Sequence, residues 1–131
     1  MSNSVVFPAV EATHLGDIQY LADILHSAQR ILEYLEDCTL QAFREDVKRQ
    51  DKVLKKLLCI SKKAQQVSAS TVAAMPRIPW ANMRNLHAQL VQDKAATDAD
   101  MTWVLAHHEI VDLISTIRTY LPTEPTIEPT S

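Results

Sequence analysis

A single glycine, Gly16, stands in a chain of 131 residues. Strands joined by tight hairpins draw on glycine for positive φ, and they alternate apolar with polar residues; the chain offers little of either. Hairpin-built sandwiches and barrels are thereby excluded. What is present instead is long runs rich in Leu, Ala, Gln, Lys and Glu, the residues that lose least on entering a helix. The expected fold class is all-α. With 47% hydrophobic residues and a formal net charge of -3, the chain has the makeup of one ordinary soluble globular domain with a modest core.

Cysteine is nearly as scarce. Cys38 and Cys59 stand too far apart for a zinc-ligand pair and are too few for a disulfide framework, which fits a reducing compartment. No apolar stretch approaches a bilayer span, and Met1 to Val10 lacks the basic-then-apolar order of a secretory leader. A cytoplasmic protein without membrane contact is expected. There is no glycine-rich phosphate loop, no serine-nucleophile signature and no zinc pattern, so no cofactor and no metal is expected. His107 and His108 are adjacent, and a helix turns neighbours about 100° apart, which keeps them from sharing a metal; both are read as surface or interface residues.

Periodicity divides the chain into about five helices between a flexible N-terminus (1–14) and a Pro-, Thr- and Glu-rich disordered tail (122–131). A first helix over about Asp17–Glu36 carries Leu21, Ile24, Leu25, Ala28, Ile31, Leu32 and Leu35 on one stripe. A short second helix, capped by Thr39, is expected to bury Leu40, Phe43 and Val47 and to lie as a lid on the longer ones. The third, about Arg49–Ser68, turns Val53, Leu54, Leu57, Leu58, Ile60, Ala64 and Val67 inward. Around the rest of it stand Lys48, Arg49, Lys52, Lys55, Lys56, Lys62 and Lys63, the one basic concentration in an acidic chain. Such a run is most simply a solvated face; Lys62 and Lys63 are also candidates for holding a phosphate backbone.

Pro76 and Pro79 bound the next connection, and Pro79 opens a helix reaching about Gln92, with Trp80, Met83, His87, Leu90 and Lys94 on one side. Thr97 or Asp98 caps a last helix ending near Leu121, and Asp98 and Asp100 suit that position through capping and the helix dipole. Met101, Val104, Leu105 and Val111 fall on one side of it, with Trp103, Ala106, Ile110, Leu113, Ile117 and Leu121 over the other. A helix apolar over so much of its girth needs neighbours on two sides, from its own bundle or from a second chain.

The order Asp23-Ile24-Leu25, Ile31-Leu32-Glu33-Tyr34-Leu35, Phe43-Arg44-Glu45-Asp46, Gln50-Asp51-Lys52-Val53-Leu54, Ile78-Pro79-Trp80 and Trp103 resembles the HepT toxins of the HEPN superfamily over roughly residues 20 to 120. The resemblance implies a HEPN-type helical bundle that forms a homodimer. In active members two chains build one cleft, where an Arg-x4-His-x-Tyr motif cuts RNA without metal by attack of the 2′-hydroxyl on its neighbouring phosphate. It further implies a toxin-antitoxin system in which a nucleotidyltransferase antitoxin modifies the motif tyrosine with AMP.

Counted without a gap from Pro79-Trp80, the motif arginine falls on His87, its asparagine neighbour on Ala88, the histidine on Gln92 and the tyrosine on Lys94. None matches. The family's Gly-Glu pair in the third helix falls on Ser61 and Lys62, so an acid has become a base. Starting the motif at Arg84-Asn85 instead would put Gln89 and Val91 at the histidine and tyrosine positions and spoil the flanks. Gln92 has no proton to exchange near neutral pH, and no guanidinium stands at the phosphate position. The leading expectation is a pseudoenzyme acting by dimerisation and partner binding. The alternatives are an RNase with a redrawn site using His87, supported by Lys62 and Lys94, and a nucleic-acid-binding protein that does not cleave.

Overall fold

The computed structural model describes residues 15–92 and 99–121, and for residue 15 and residues 87–92 it describes the backbone only. The expectations for 1–14, for the tail 122–131 and for capping by Thr97 or Asp98 lie outside the described residues. Among the described residues every regular element is helical, and none is long and apolar enough to cross a membrane.

Helix α1 spans Leu15–Leu35 and buries Leu21, Ile24, Leu25, Ala28, Ile31 and Leu35, the stripe its spacing dictates. It ends where Asp37 takes a φ of 59°. With glycine all but missing, the left-handed stop falls to an aspartate, a residue that tolerates it. Helix α2 spans Leu40–Glu45, and Thr39 caps it by accepting from the Ala42 amide at 3.0 Å.

Helix α3 spans Val47–Gln66 and begins two residues earlier than the spacing predicts, because Asp46 accepts from the Arg49 amide and acts as its cap. That cap changes the place of Val47, expected to be buried. As the first residue of α3 it is 72% exposed, while Phe43 alone anchors α2. A short α4 over Ala69–Ala74, capped by Ser68, fills what reads in the sequence as plain connection. Its junction is tied to the start of α1: buried Asp17 accepts from the hydroxyls of Ser68 at 2.5 Å and Thr71 at 2.6 Å, and from the Ser68 amide at 3.2 Å.

Helix α5 spans Trp80–Gln92. The last stretch is α6 over Ala99–Val104, a single wide π segment over Leu105–Glu109, and α7 over Ile110–Tyr120. The wide turn has a geometric effect. Thr102, Ala106 and Ile110 are all buried at steps of four, which in an unbroken α-helix would drift by roughly 80° over the two steps. One extra residue taken up by the π turn brings them back into line, so the core side continues into Leu113, Ile114 and Ile117.

Helices α1 and α3 run antiparallel as the central pair: Asp17 meets Ser68, Ser27 meets Cys59, and Tyr34 meets Arg49. Helix α5 packs on α3, α7 packs on α1, and α2 sits across α3 and α6. The lid expected for α2 is present. Its ring Phe43 lies 5.5 Å from Trp103, and Arg44 holds Asp100 through two 2.8 Å bonds. Asp100 thus serves as a tie to α2 as well as a first-turn acid of α6.

Candidate functional site

Helices α3 and α5, which carry most of the candidate site residues, pack face to face, and their register is set by one crossing. Fully buried Ser61 donates its hydroxyl to the Arg84 carbonyl at 3.1 Å, and Gln65 reaches the same oxygen at 3.4 Å. In return Arg84 donates from Nε to the Ala64 carbonyl at 3.0 Å and from Nη2 to the Val67 carbonyl at 3.3 Å. The last carbonyls of a helix lack intrahelical partners, and a guanidinium is well shaped to satisfy two of them. Its plane also lies 5.8 Å from the Trp80 ring. The Trp80 indole in turn donates to the Met75 carbonyl at 2.9 Å.

This arrangement gives Arg84 a job. The arginine of the shorter motif placement is spent on fastening α5 to the end of α3. Ser61, which the resemblance aligns with the glycine of the family pair, uses its hydroxyl for the same fastening. Neither role shows in the sequence, because the partners are main-chain atoms 20 and 23 residues away.

His87 and Gln92 lie within α5, but their side chains are not among those described, and Lys94 lies outside the described residues altogether. Of the two lysines singled out on α3, Lys62 is exposed. Lys63 is half-buried against α1, 3.3 Å from the Asp23 carboxylate and 5.6 Å from the Tyr20 ring. The two therefore face different flanks of one helix and do not form a single pair.

The adjacent histidines are both exposed, as expected. The His107 ring lies 4.1 Å from Trp103, and its Nδ1 lies 2.9 Å from the Trp103 carbonyl. A carbonyl only accepts, so Nδ1 carries the proton. No group of three His, Cys, Asp or Glu side chains among the described residues is placed to hold a metal. Cys38 and Cys59 are free, half-buried thiols.

Two carboxylates are held below their usual range. The Arg49 amide and guanidinium stabilise the Asp46 anion, and the Arg44 guanidinium stabilises that of Asp100. Both serve helix caps and ties. A general acid near neutral pH needs the opposite shift, so neither is suited to proton transfer. The pair Arg44–Asp100 was beyond sequence reasoning, since nothing in the pattern links residues 56 apart.

Comparison with known proteins gives the arrangement a context. A protein of Methanocaldococcus jannaschii, provisionally named an RNase, is 24% identical over 99 residues, which covers 76% of this chain and 82% of that one. No solved structure matches the chain. The model of the HepT-like ribonuclease family matches residues 24–120, a span that runs from the first core stripe of α1 to the end of α7. The chain belongs to the HepT-like ribonuclease family.

Proposed function

We propose that this chain is a HepT-like protein whose own nuclease chemistry is lost and which works by self-association and partner binding. The carrying observation is the content of the motif positions: His87, Gln92 and Lys94 stand where relatives have arginine, histidine and tyrosine. An amide cannot exchange the proton that cleavage at a ribose 2′-hydroxyl requires, and loss of one acid-base group costs roughly a hundredfold to ten-thousandfold in rate. The neighbouring guanidinium of Arg84 offers no substitute, being committed to Ala64 and Val67. Lys94 has no phenolic oxygen for AMP. A nucleotidyltransferase partner, if retained, would bind without modifying that position.

Self-association is supported by the last helix. Three of the large apolar side chains left in solvent, Met101, Val104 and Val111, are on it, at 44%, 53% and 45% exposure. A second copy would cover them, as the apolar girth of this segment suggests. Molecular mass in solution is the check: a dimer is expected, and Val104→Glu should shift it toward monomer.

The chemistry is tested by incubating the purified protein with total cellular RNA beside a variant carrying Lys62→Glu, His87→Arg, Ala88→Asn, Gln92→His and Lys94→Tyr. The unmodified protein should leave the RNA intact while the restored variant degrades it. Turnover by the unmodified protein, abolished by His87→Ala, would overturn the reading in favour of a redrawn site.

A further inference from the structure

The basic residues of α3 divide between two flanks, and the flank facing α1 has a composition of its own. Tyr20, Asp23, Ser27, Arg30 and Tyr34 recur at steps of three and four along α1 and line one side of a seam. From α3, Arg49 donates to the Tyr34 carbonyl at 2.7 Å, Lys52 lies 5.7 Å from the Tyr34 ring, and Lys63 lies over Tyr20. Lys56, one turn beyond Lys52, falls between them. Arg30 completes the group at 5.1 Å from the Tyr34 ring.

The carboxylates of the seam are already committed: Glu33 to Arg30, Asp46 to Arg49 and Asp23 to Lys63. Lys52 and Lys56 have no carboxylate at ion-pair distance among the described residues. They leave positive charge along the seam, that of Lys52 at the Tyr34 end and partly balanced through space by Asp46, that of Lys56 one turn further in, on a chain whose formal net charge is -3. Fourteen residues of α1 separate the two tyrosines, a rise of about 21 Å, so a half-buried aromatic ring stands toward each end.

We infer that the α1–α3 seam is a track for a single-stranded nucleic acid, bound through its phosphates by Lys52 and Lys56 and flanked by Tyr20 and Tyr34. Positive charge along a groove with aromatic rings is what a single strand requires, since every base has a face to stack and every linkage a phosphate. An acidic protein partner fits less well. Lysine is depleted at protein interfaces, and of the exposed large apolar side chains that would anchor one, Met101, Val104 and Val111 are on the last helix and only Val47, at the very start of α3, is on either helix of the seam. The track is on the opposite flank of α3 from Ser61 and the α5 contact, so it does not depend on the fate of the nuclease.

Fluorescence anisotropy of the full chain with labelled oligothymidylate of about 20 nucleotides tests this at several salt concentrations. A deoxy strand has no 2′-hydroxyl to attack, so binding is measured whether or not the protein cleaves RNA. Binding should weaken with salt, and Lys52→Glu with Lys56→Glu should weaken it at least tenfold. Each lost phosphate contact should lower the log–log salt slope by about 0.7. Lys52→Arg with Lys56→Arg should keep the affinity, and Lys62→Glu should change it less than the double reversal. Absence of binding, a salt-independent affinity, a larger loss from Lys62→Glu, or equal affinity for polyglutamate would each overturn the proposal.

Discussion

The two halves of α5 contrast sharply. Its first half, Trp80 to Leu86, is a set of fastenings: the Trp80 indole on Met75, Met83 and Leu86 in the core, and Arg84 on the end of α3. Its second half carries His87 and Gln92, which under the proposed reading stand where the family keeps its chemistry. On that reading the first half keeps the Ile78-Pro79-Trp80 entry and the second has lost its function-bearing side chains. A scaffold residue is retained because the bundle fails without it. A catalytic residue is retained only while catalysis is needed, so the two can be lost independently.

The sharpest way to break this comparison is at Trp80. Its ring is 7% exposed, and truncating a core tryptophan removes a large buried area while leaving a cavity, at a cost of about 3–5 kcal/mol. Trp80→Ala should therefore remove much of the margin of a domain this size and lower the midpoint of urea unfolding. His87→Ala should leave that midpoint nearly unchanged. A comparable loss from both substitutions would mean that the second half of α5 is as structural as the first.

A smaller effect is expected at the crossing of α3 and α5. Arg84→Met keeps much of the side-chain length but leaves the Ala64 and Val67 carbonyls without their partner. Arg84 is only half-buried, so water can take over part of this role and the expected loss is about 1–2 kcal/mol. Ser61→Ala removes the fully buried hydroxyl bond to the Arg84 carbonyl and should cost about 1 kcal/mol. Because both act on one junction, the double variant should lose less than the sum. Strict additivity would show that the two bonds are separate ties.

These fastenings explain how far the sequence could be read. The all-α class, the core stripes of α1 and α3 and the Thr39 cap follow from local rules, because a helix's buried side is written at steps of three and four. Val47 was misplaced because α2 and α3 share an apolar rhythm across Asp46, and only the cap geometry shows where one ends. The π turn at Leu105–Glu109 left a trace in the two-sided apolar pattern of the last helix. That pattern has two causes, a partner or a register shift, and the sequence could not choose between them. For the site, the candidate motif positions were legible in the sequence, as a reading of the residues alone. The commitment of Arg84 to main-chain carbonyls was not, nor was which of Lys62 and Lys63 meets α1, since both depend on which flank of a helix meets which neighbour.

The smallest effect sharpens the comparison through pH. The anchor of α5 runs through main-chain carbonyls, an indole and a guanidinium and includes no carboxylate, so this contact should be indifferent to acid. The tie of α2 to α6 is different, because Arg44 holds the Asp100 carboxyl below its usual range. A carboxylate whose folded pKa is lowered contributes stability above its unfolded pKa and loses it as pH falls through the folded value. The loss therefore belongs below about pH 4. Both partners are exposed, and salt should screen the pair. Arg44→Gln should make the thermal midpoint fall less steeply between about pH 4 and pH 2 than in the parent, with a residual slope from Asp46 and its Arg49 contacts. Arg84→Met, by contrast, should shift the whole curve down without altering its slope in that range. A changed acid slope in the Arg84 variant would mean that the α5 anchor is coupled to a carboxylate after all.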